Sequence, residues 1–247
     1  MALPLLLVLS ATPRAAVPDR YIAAAAQWGH GGGTSAMLSV TDFGAVGDGK
    51  TDNAPAIQAA IDQAQREYRA VYVPAGIYRV DTGLVVNTTA KNAAKYSVGT
   101  PHWRVAPLRM VGEGATNGMG QSVIFAGGPM SAVLTYASRQ PGTGATQFPP
   151  PNTTYNHALE QLTLDANGVA NFSVYAPSIV GAKWQSTNFI HGAIAGLYIG
   201  YGWIHNIEGC AFKGNAVANL YLDRSVNAVN VLNNNFATGG IGIIANW

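Results

Sequence analysis

The sequence reads as an all-β protein, a right-handed parallel β-helix closed at its N-terminal end by a helix. Three patterns lead there. Four segments end in a bulky apolar residue, Leu164 (LEQLTL), Phe189 (WQSTNF), Phe212 (IEGCAF) and Phe236 (VLNNNF), at steps of 25, 23 and 24 residues. A second set falls between them, FSV ending at Val174, LYI at Ile199, LYL at Leu222 and IGI at Ile243, at steps of 25, 23 and 21. Interleaved short strands at a period of about 20–30 residues, with no helical stretch between them, mark a solenoid whose turns stack. Composition is the third pattern. With 29 glycines and 11% charged residues among 247, the chain suits short strands and tight corners better than a helical bundle.

Strand alternation sets the facing of the second set. Phe172, Leu197, Leu220 and Ile241 stand two residues before its anchors and share their inward face. Ser173, Tyr198, Tyr221 and Gly242 between them point outward.

The N-terminal Met1–Ala16 carries a short apolar run followed by small residues and is too short to span a membrane. It resembles a secretory leader, and the protein is expected to be extracellular. The sequons at Asn87, Asn152 and Asn171 are compatible with that. Residues Val17–Ser39, with Gly31-Gly32-Gly33, read as a flexible joint. The β-helix domain is expected from Val40 to Trp247. Because Trp247 follows a strand segment directly, the domain is expected to be truncated there.

Thr51 or Asp52 is placed to cap a helix from about Asn53 to Glu67. Ile57, Ala60, Ile61 and Ala64 form its apolar stripe. Such a helix before the first coil would cover the open end of a solenoid. Val71–Val80 then gives two short strands around a Pro74-Ala75-Gly76 corner. Two stretches without strand rhythm, Asn87–Arg104 and Arg139–Asn156, read as excursions from the coil, the second because its prolines cannot pair as an interior strand.

DFGAVGDGKTDNAPAIQAAID (Asp42–Asp62) followed by VYVPAGIYRV (Val71–Val80) resembles the entry segment of the pectate-lyase-like superfamily. The resemblance continues in RMVGEG (Arg109–Gly114), LTLDANG (Leu162–Gly168) and GCAFKGN (Gly209–Asn215). It implies the β-helix and action on a polysaccharide, in a superfamily of polygalacturonases, rhamnogalacturonases, exo-β-1,3-glucanases, C5-epimerase-like proteins and phage tailspikes. Corner and capping residues are shared across every chemistry on this scaffold, so the motif specifies the fold far more than the reaction. The chain has no Asn-Thr-Asp triplet, adjacent Asp-Asp pair or Arg-Ile-Lys of the polygalacturonase-like members.

Cleaving a glycan requires two carboxylates flanking the bond, or a base with a cation that holds a uronate. Four residues before the first anchors stand Glu160, Gln185, Glu208 and Leu232. Glu160 and Glu208 thus fall two coils apart, roughly 10 Å. One residue after those anchors come Asp165 and Lys213, and one after the second set comes Asp223, beside Arg224. Glu160, Asp165, Glu208 and Asp223 are the candidate acids. Tyr198, Tyr221, Lys213 and Arg224 are the candidate substrate contacts, the tyrosines as a sugar platform. Each has a structural counterpart: outward glutamates in solvent, an aspartate bonding its own backbone, ordinary surface charges. His191 and His205 read as corner hydrogen-bonding residues, Asn233–Asn235 as a structural ladder, and Cys210 as a core thiol.

A net charge of +2 with scattered basic residues leaves no footprint for nucleic acid. No metal or cofactor is expected, and the oligomeric state is open. The expected protein is a polysaccharide-acting enzyme, glycoside hydrolase ahead of lyase. The alternative is a non-catalytic glycan-binding or structural β-helix.

Overall fold

The computed structural model describes residues 37–67, 69–87, 107–116, 119–137, 154–224 and 226–246. All of these belong to one unit, Ala36–Trp247. The leader, nearly all of the Val17–Ser39 joint, most of the two excursions and Trp247 lie outside the described residues.

The chain winds through three faces. On the first, Leu38–Ser39, Val71–Val73, Arg109–Gly112, Ala158–Glu160, Lys183–Gln185, Gly202–Glu208 and Val226–Leu232 lie side by side and parallel. The second face stacks Asp48–Asp52, Gly76–Val80, Ser122–Ala126, Thr163–Asp165 and Asn188–Ile190. The third stacks Leu84–Asn87, Met130–Ala137, Ala170–Ala176 and Ala195–Ile199. The long strands Ala211–Leu222 and Asn235–Ala245 run across both, with a register shift between Asn215 and Ala218 where they turn the corner. Parallel strands joined in this way form the curled sheets of a parallel β-helix.

Because every coil hydrogen-bonds to the next in register, like positions stack. Val71, Met110, Leu159, Trp184, Ile207 and Val231 form the inner column of the first face. Tyr78, Ile124, Leu164, Phe189, Phe212 and Phe236 form that of the second. The expected first anchor set therefore stands in the observed register. Its aromatic members stack, with ring centroids 5.2 Å apart for Phe189–Phe212 and 4.9 Å for Phe212–Phe236. Cys210 is a free thiol buried in this core.

The second anchor set differs from its expected register. Val174 pairs with Leu197, Leu197 with Leu220 and Leu220 with Ile243, while Phe172 and Ile241 fall on the alanine column Ala195–Ala218. The reason is corner length. Val174 follows its second-face anchor Leu164 by 10 residues, whereas Leu197 follows Phe189 by 8. The turn after Asp165 carries the difference, so the expected anchors Ile199 and Leu222 stand two residues beyond the rung of Val174.

The helix Ala54–Glu67 begins where Asp52 Oδ1 accepts the Ala54 N–H at 3.0 Å, and its buried side chains Ala54, Ile57, Ala60, Ile61 and Ala64 join the apolar core. Asn53, itself buried, locks the preceding turn. Its Oδ1 accepts from Val46 N at 2.6 Å and its Nδ2 donates to Thr51 O at 2.8 Å. Gly47 and Gly76 pass so closely that a Cβ on Gly47 would lie 2.9 Å from Gly76 Cα. The paired glycines of the entry motif thus answer a steric demand of two adjacent coils.

Corners repeat as well. Asn156, Gly181, Ile204 and Ala228 have φ of 58°, 69°, 61° and 52°, and Gln161, Ser186, Gly209 and Asn233 have 57°, 47°, 62° and 54°. Asn and Gly enter this left-handed region readily; a β-branched residue does not. Ile204 nevertheless occupies it with 62% of its surface exposed. Ile204→Asn is therefore expected to raise stability by about 1 kcal/mol, since the strain is relieved and little burial is lost. The urea midpoint checks this; an unchanged or lower midpoint refutes it.

Burial lowers His157 to a pKa of about 3 and His205 to about 4. Both are therefore neutral in the fold, while the unfolded chain takes up their protons near the ordinary histidine value. Their contribution is complete above that value and declines as pH falls toward 4. Equilibrium unfolding across that range should show the decline, with a shallower slope in His205→Phe than in the parent.

Candidate functional site

The outer surface of the third face carries aromatic side chains in register. Tyr175 pairs with Tyr198 and Tyr198 with Tyr221, one per coil. Ring centroids are 4.9 Å apart for Tyr175–Tyr198 and 5.4 Å for Tyr198–Tyr221, and Phe172 packs on the first two at 5.2 and 5.4 Å. The Tyr175 and Tyr198 planes are only 21° apart. Their ring faces cover one another, so this row offers solvent mainly edges and hydroxyls.

Those hydroxyls have defined neighbours. Tyr198 Oη donates to Asp223 Oδ2 at 2.8 Å, and Asn246 Nδ2 donates to Tyr221 Oη at 2.8 Å. Burial, followed by the bond to Asp223, pushes the Tyr198 phenol well above its ordinary value, so it remains protonated and donating. Arg224 Nε stands 3.6 Å from Asp223 Oδ2 with its side chain 85% exposed, which leaves the guanidinium open to solvent. Tyr198, Tyr221, Asp223 and Arg224 thus occupy one surface. Tyr175 completes it in the place expected for Ser173, which is instead buried and donates through Oγ to Ile190 O at 3.0 Å.

At the corner leaving the second face, Asp165 Oδ1 accepts the Asn167 N–H at 2.7 Å and lies 2.9 Å from His191 Nδ1. Both expected structural roles, an aspartate bonding its own backbone and a corner histidine, are present in this pair. The rung order is Asp165, Ile190, Lys213, so Ile190 separates the acid from the lysine. Gly214 makes room for the imidazole, since a Cβ there would lie 2.6 Å from His191 Cδ2.

On the outer side of the first face the order Glu160, Gln185, Glu208, Leu232 is as expected. Arg109 holds Glu160 through Nη2–Oε2 at 2.7 Å and Nε–Oε1 at 3.3 Å, and Lys183 Nζ lies 3.8 Å from Oε1. The Arg109 bond keeps the Glu160 carboxyl below its ordinary range. A carboxylate so held is a poor proton donor. Glu208 accepts from Asn206 Nδ2 at 3.2 Å. Among the described residues, no group of three or more His, Cys, Asp or Glu is placed to hold a metal, and no helix is long and apolar enough to cross a membrane.

The family model "Rhamnogalacturonase A/epimerase, pectate lyase-like" matches residues 37–247. The chain belongs to this pectate-lyase-like family. Mannuronan C5-epimerase AlgE6 of Azotobacter vinelandii is 36% identical over 157 residues, covering 60% of this chain and 15% of the epimerase. Alginate lyase 7 of the same organism is 59% identical over 46 residues, 18% of this chain and 5% of the lyase. The chain therefore spans a small part of these relatives. Among solved structures, ORF18 of Geobacillus virus E2 superimposes with a TM-score of 0.61 at 20% identity, covering 86% of this chain and 41% of that one. The AlgE4 A-module of Azotobacter vinelandii gives 0.52 at 20% identity, covering 80% and 50%. At that identity the likeness is one of fold.

Sequence reasoning missed four partners on this pectate-lyase-like scaffold: Phe172, Tyr175, Arg109 and Lys183. Pairing the strands by hydrogen-bond register, with corner length free to vary, would have found Tyr175. The other three needed side-chain reach across a rung. The partly exposed Glu160 cluster has a modest energetic weight. Glu160→Gln is expected to lower stability by about 0.5–1 kcal/mol at neutral pH. Because the folded pKa is depressed, the difference is present above the ordinary glutamate value and disappears as pH falls through the folded one. Urea unfolding at neutral and acid pH checks both parts; a pH-independent difference rules the account out.

Proposed function

We propose that this chain serves a secreted, polysaccharide-acting protein and holds glycan along the row Tyr175–Tyr198–Tyr221, with Asp223 and Arg224 at its edge. The carrying observation is the register, one phenol per coil on a single outward surface. Rungs about 4.8 Å apart present repeated hydroxyls to a repeating ligand that lies along the solenoid axis. Contact on this reading is through ring edges and hydrogen bonds, because the ring faces are occupied by each other. We take the coil as right-handed, the usual hand of parallel crossovers, and Ala54–Glu67 as the cover of its first turn. The apolar leader supports secretion.

For the chemistry we place glycoside hydrolysis ahead of elimination. Asp223 is the carboxylate bonded to the row, and a uronate carboxylate bound there would meet its negative charge. A neutral sugar meets no such opposition. Asp223 is then the acid nearest the glycan, with a second carboxylate required within about 5–9.5 Å. Glu160, Glu208 and Asp165 serve as structural acids on this reading.

A second reading is non-catalytic binding, favoured by the engagement of Glu160 and Asp165 in local bonds. The mannuronan named for the epimerase relatives is the matching polyanion, with Arg224 and Lys213 as its contacts.

Retention on immobilised β-glucan and on mannuronan separates these readings. Tyr198→Phe and Tyr221→Phe preserve the aromatic stack and remove one hydroxyl each. Each should weaken binding about fivefold, the equivalent of about 1 kcal/mol per hydrogen bond. Unchanged retention on both polymers by the double variant rejects the row as a glycan site. Under hydrolysis, Asp223→Asn should abolish release of reducing ends while retention persists; continued release rejects Asp223 as the acid, and no release by the parent protein leaves the binding reading in place.

A further inference from the structure

A different corner of the molecule carries buried polar atoms that neither the fold nor the glycan row uses. Tyr136 Oη, His157 Nε2, Trp184 Nε1 and both ring nitrogens of His205 are buried without a hydrogen-bond partner among the described residues. These side chains are at most 1% exposed. Such groups are rare in folded proteins, and each left bare costs about 1–3 kcal/mol. Their number in one region points to a common cause.

The register brings them together. Leu108, His157 and Ala182, each just before its first-face strand, stack with His205 and Val229 inside theirs, as the bonds Ala158 N to Leu108 O, Lys183 N to His157 O and Asn206 N to Ala182 O require. Ala182 thus separates two imidazoles that lie two rungs apart, roughly 10 Å between Cα atoms. The Tyr136 ring closes the corner, with centroids 4.9 Å from His157 and 5.7 Å from Trp184. Beside His205, a Cβ on Gly202 would lie 3.0 Å from Nε2, so glycine there leaves that nitrogen uncrowded.

The protons decide what can bind. Leu108 N–H donates to His157 Nδ1 at 2.9 Å, so Nδ1 is the acceptor and the neutral ring carries its proton on Nε2. Trp184 Nε1 is a donor only. Two N–H donors therefore stand in the corner that the Tyr136 ring closes, and both lack an acceptor among the described residues. We infer that this corner is a built hydration site, with one water shared by His157, Trp184 and Tyr136 and further water on the nitrogens of His205. The first water accepts from His157 Nε2 and Trp184 Nε1 and keeps both its own protons to donate, one of them to Tyr136 Oη. Neutral His205 has one donor and one acceptor nitrogen, which suits water on each side. A halide could accept the same donors, but a buried anion bears a desolvation penalty that water does not.

The test is a high-resolution crystal structure of the protein, with one crystal form grown in sodium bromide. Expected is an ordered peak within hydrogen-bond distance of His157 Nε2, Trp184 Nε1 and Tyr136 Oη, with no bromine anomalous signal, and a second peak on His205. A bromine signal at the shared position overturns water in favour of an anion. A dry corner in which the side chains have turned to bond one another overturns the site altogether. Oxygen-17 relaxation dispersion on the same protein supplies the solution readout. At least two internal waters of long residence are expected, and none overturns the proposal.

Discussion

The in-register backbone ladder between successive coils governs everything else in this molecule. Each rung places a residue directly over its counterpart one coil earlier, at about 4.8 Å. Whatever occupies a position in one coil therefore becomes the packing partner of the same position in the next. Phe189, Phe212 and Phe236 stack because their backbones are paired, and their aromatic contact then reinforces that pairing. The same rule outside the barrel aligns Tyr175, Tyr198 and Tyr221. Core and surface are two readings of one ladder.

Corners are where the ladder is hardest to maintain. The chain must change direction without losing register, and it does so by placing single residues in the left-handed region in stacked columns. Gly181, Gly209, Asn156 and Asn233 meet that demand at low strain. Ile204 meets it at a cost, beside buried His205, where the first face bends. Polar corner side chains tie the turns down: Asn234 Oδ1 accepts from Cys210 N and its Nδ2 donates to Ile207 O, each at 2.8 Å. Of the asparagine run, the structure assigns this ladder-like role to Asn234.

Charged residues on the outer surfaces follow a different logic from the apolar columns. Glu160 and Glu208 are aligned by the ladder but are partnered by whatever reaches them, Arg109 and Lys183 in one case and Asn206 in the other. Equivalent ladder positions thus acquire unlike environments. Asp223 differs again, since its partner is a phenol on the row where glycan is proposed to lie. Candidate acids on a solenoid are therefore better separated by their neighbours than by their spacing.

Much of the architecture was legible in the residues alone. The repeat of Leu164, Phe189, Phe212 and Phe236 and the Ile57–Ala64 stripe each reflect local periodicity, which sequence records directly, and the Asp42–Val80 motif records the tight Gly47–Gly76 approach. The order Glu160, Gln185, Glu208 was readable for the same reason. The third face was not, because its register depends on how many residues each corner absorbs, and strand alternation is silent about corner length. Nor could spacing reveal that Arg109 reaches Glu160, that the tyrosine faces cover one another, or that His157 and Trp184 turn polar atoms into the core. Those depend on side-chain direction and reach between coils, quantities that exist only once the backbone has been wound. The amino-acid order by itself determined that the chain coils and which residues line the coil; the tertiary structure decided which of them meet, because rung pairing is set by hydrogen bonds between coils and not along the chain.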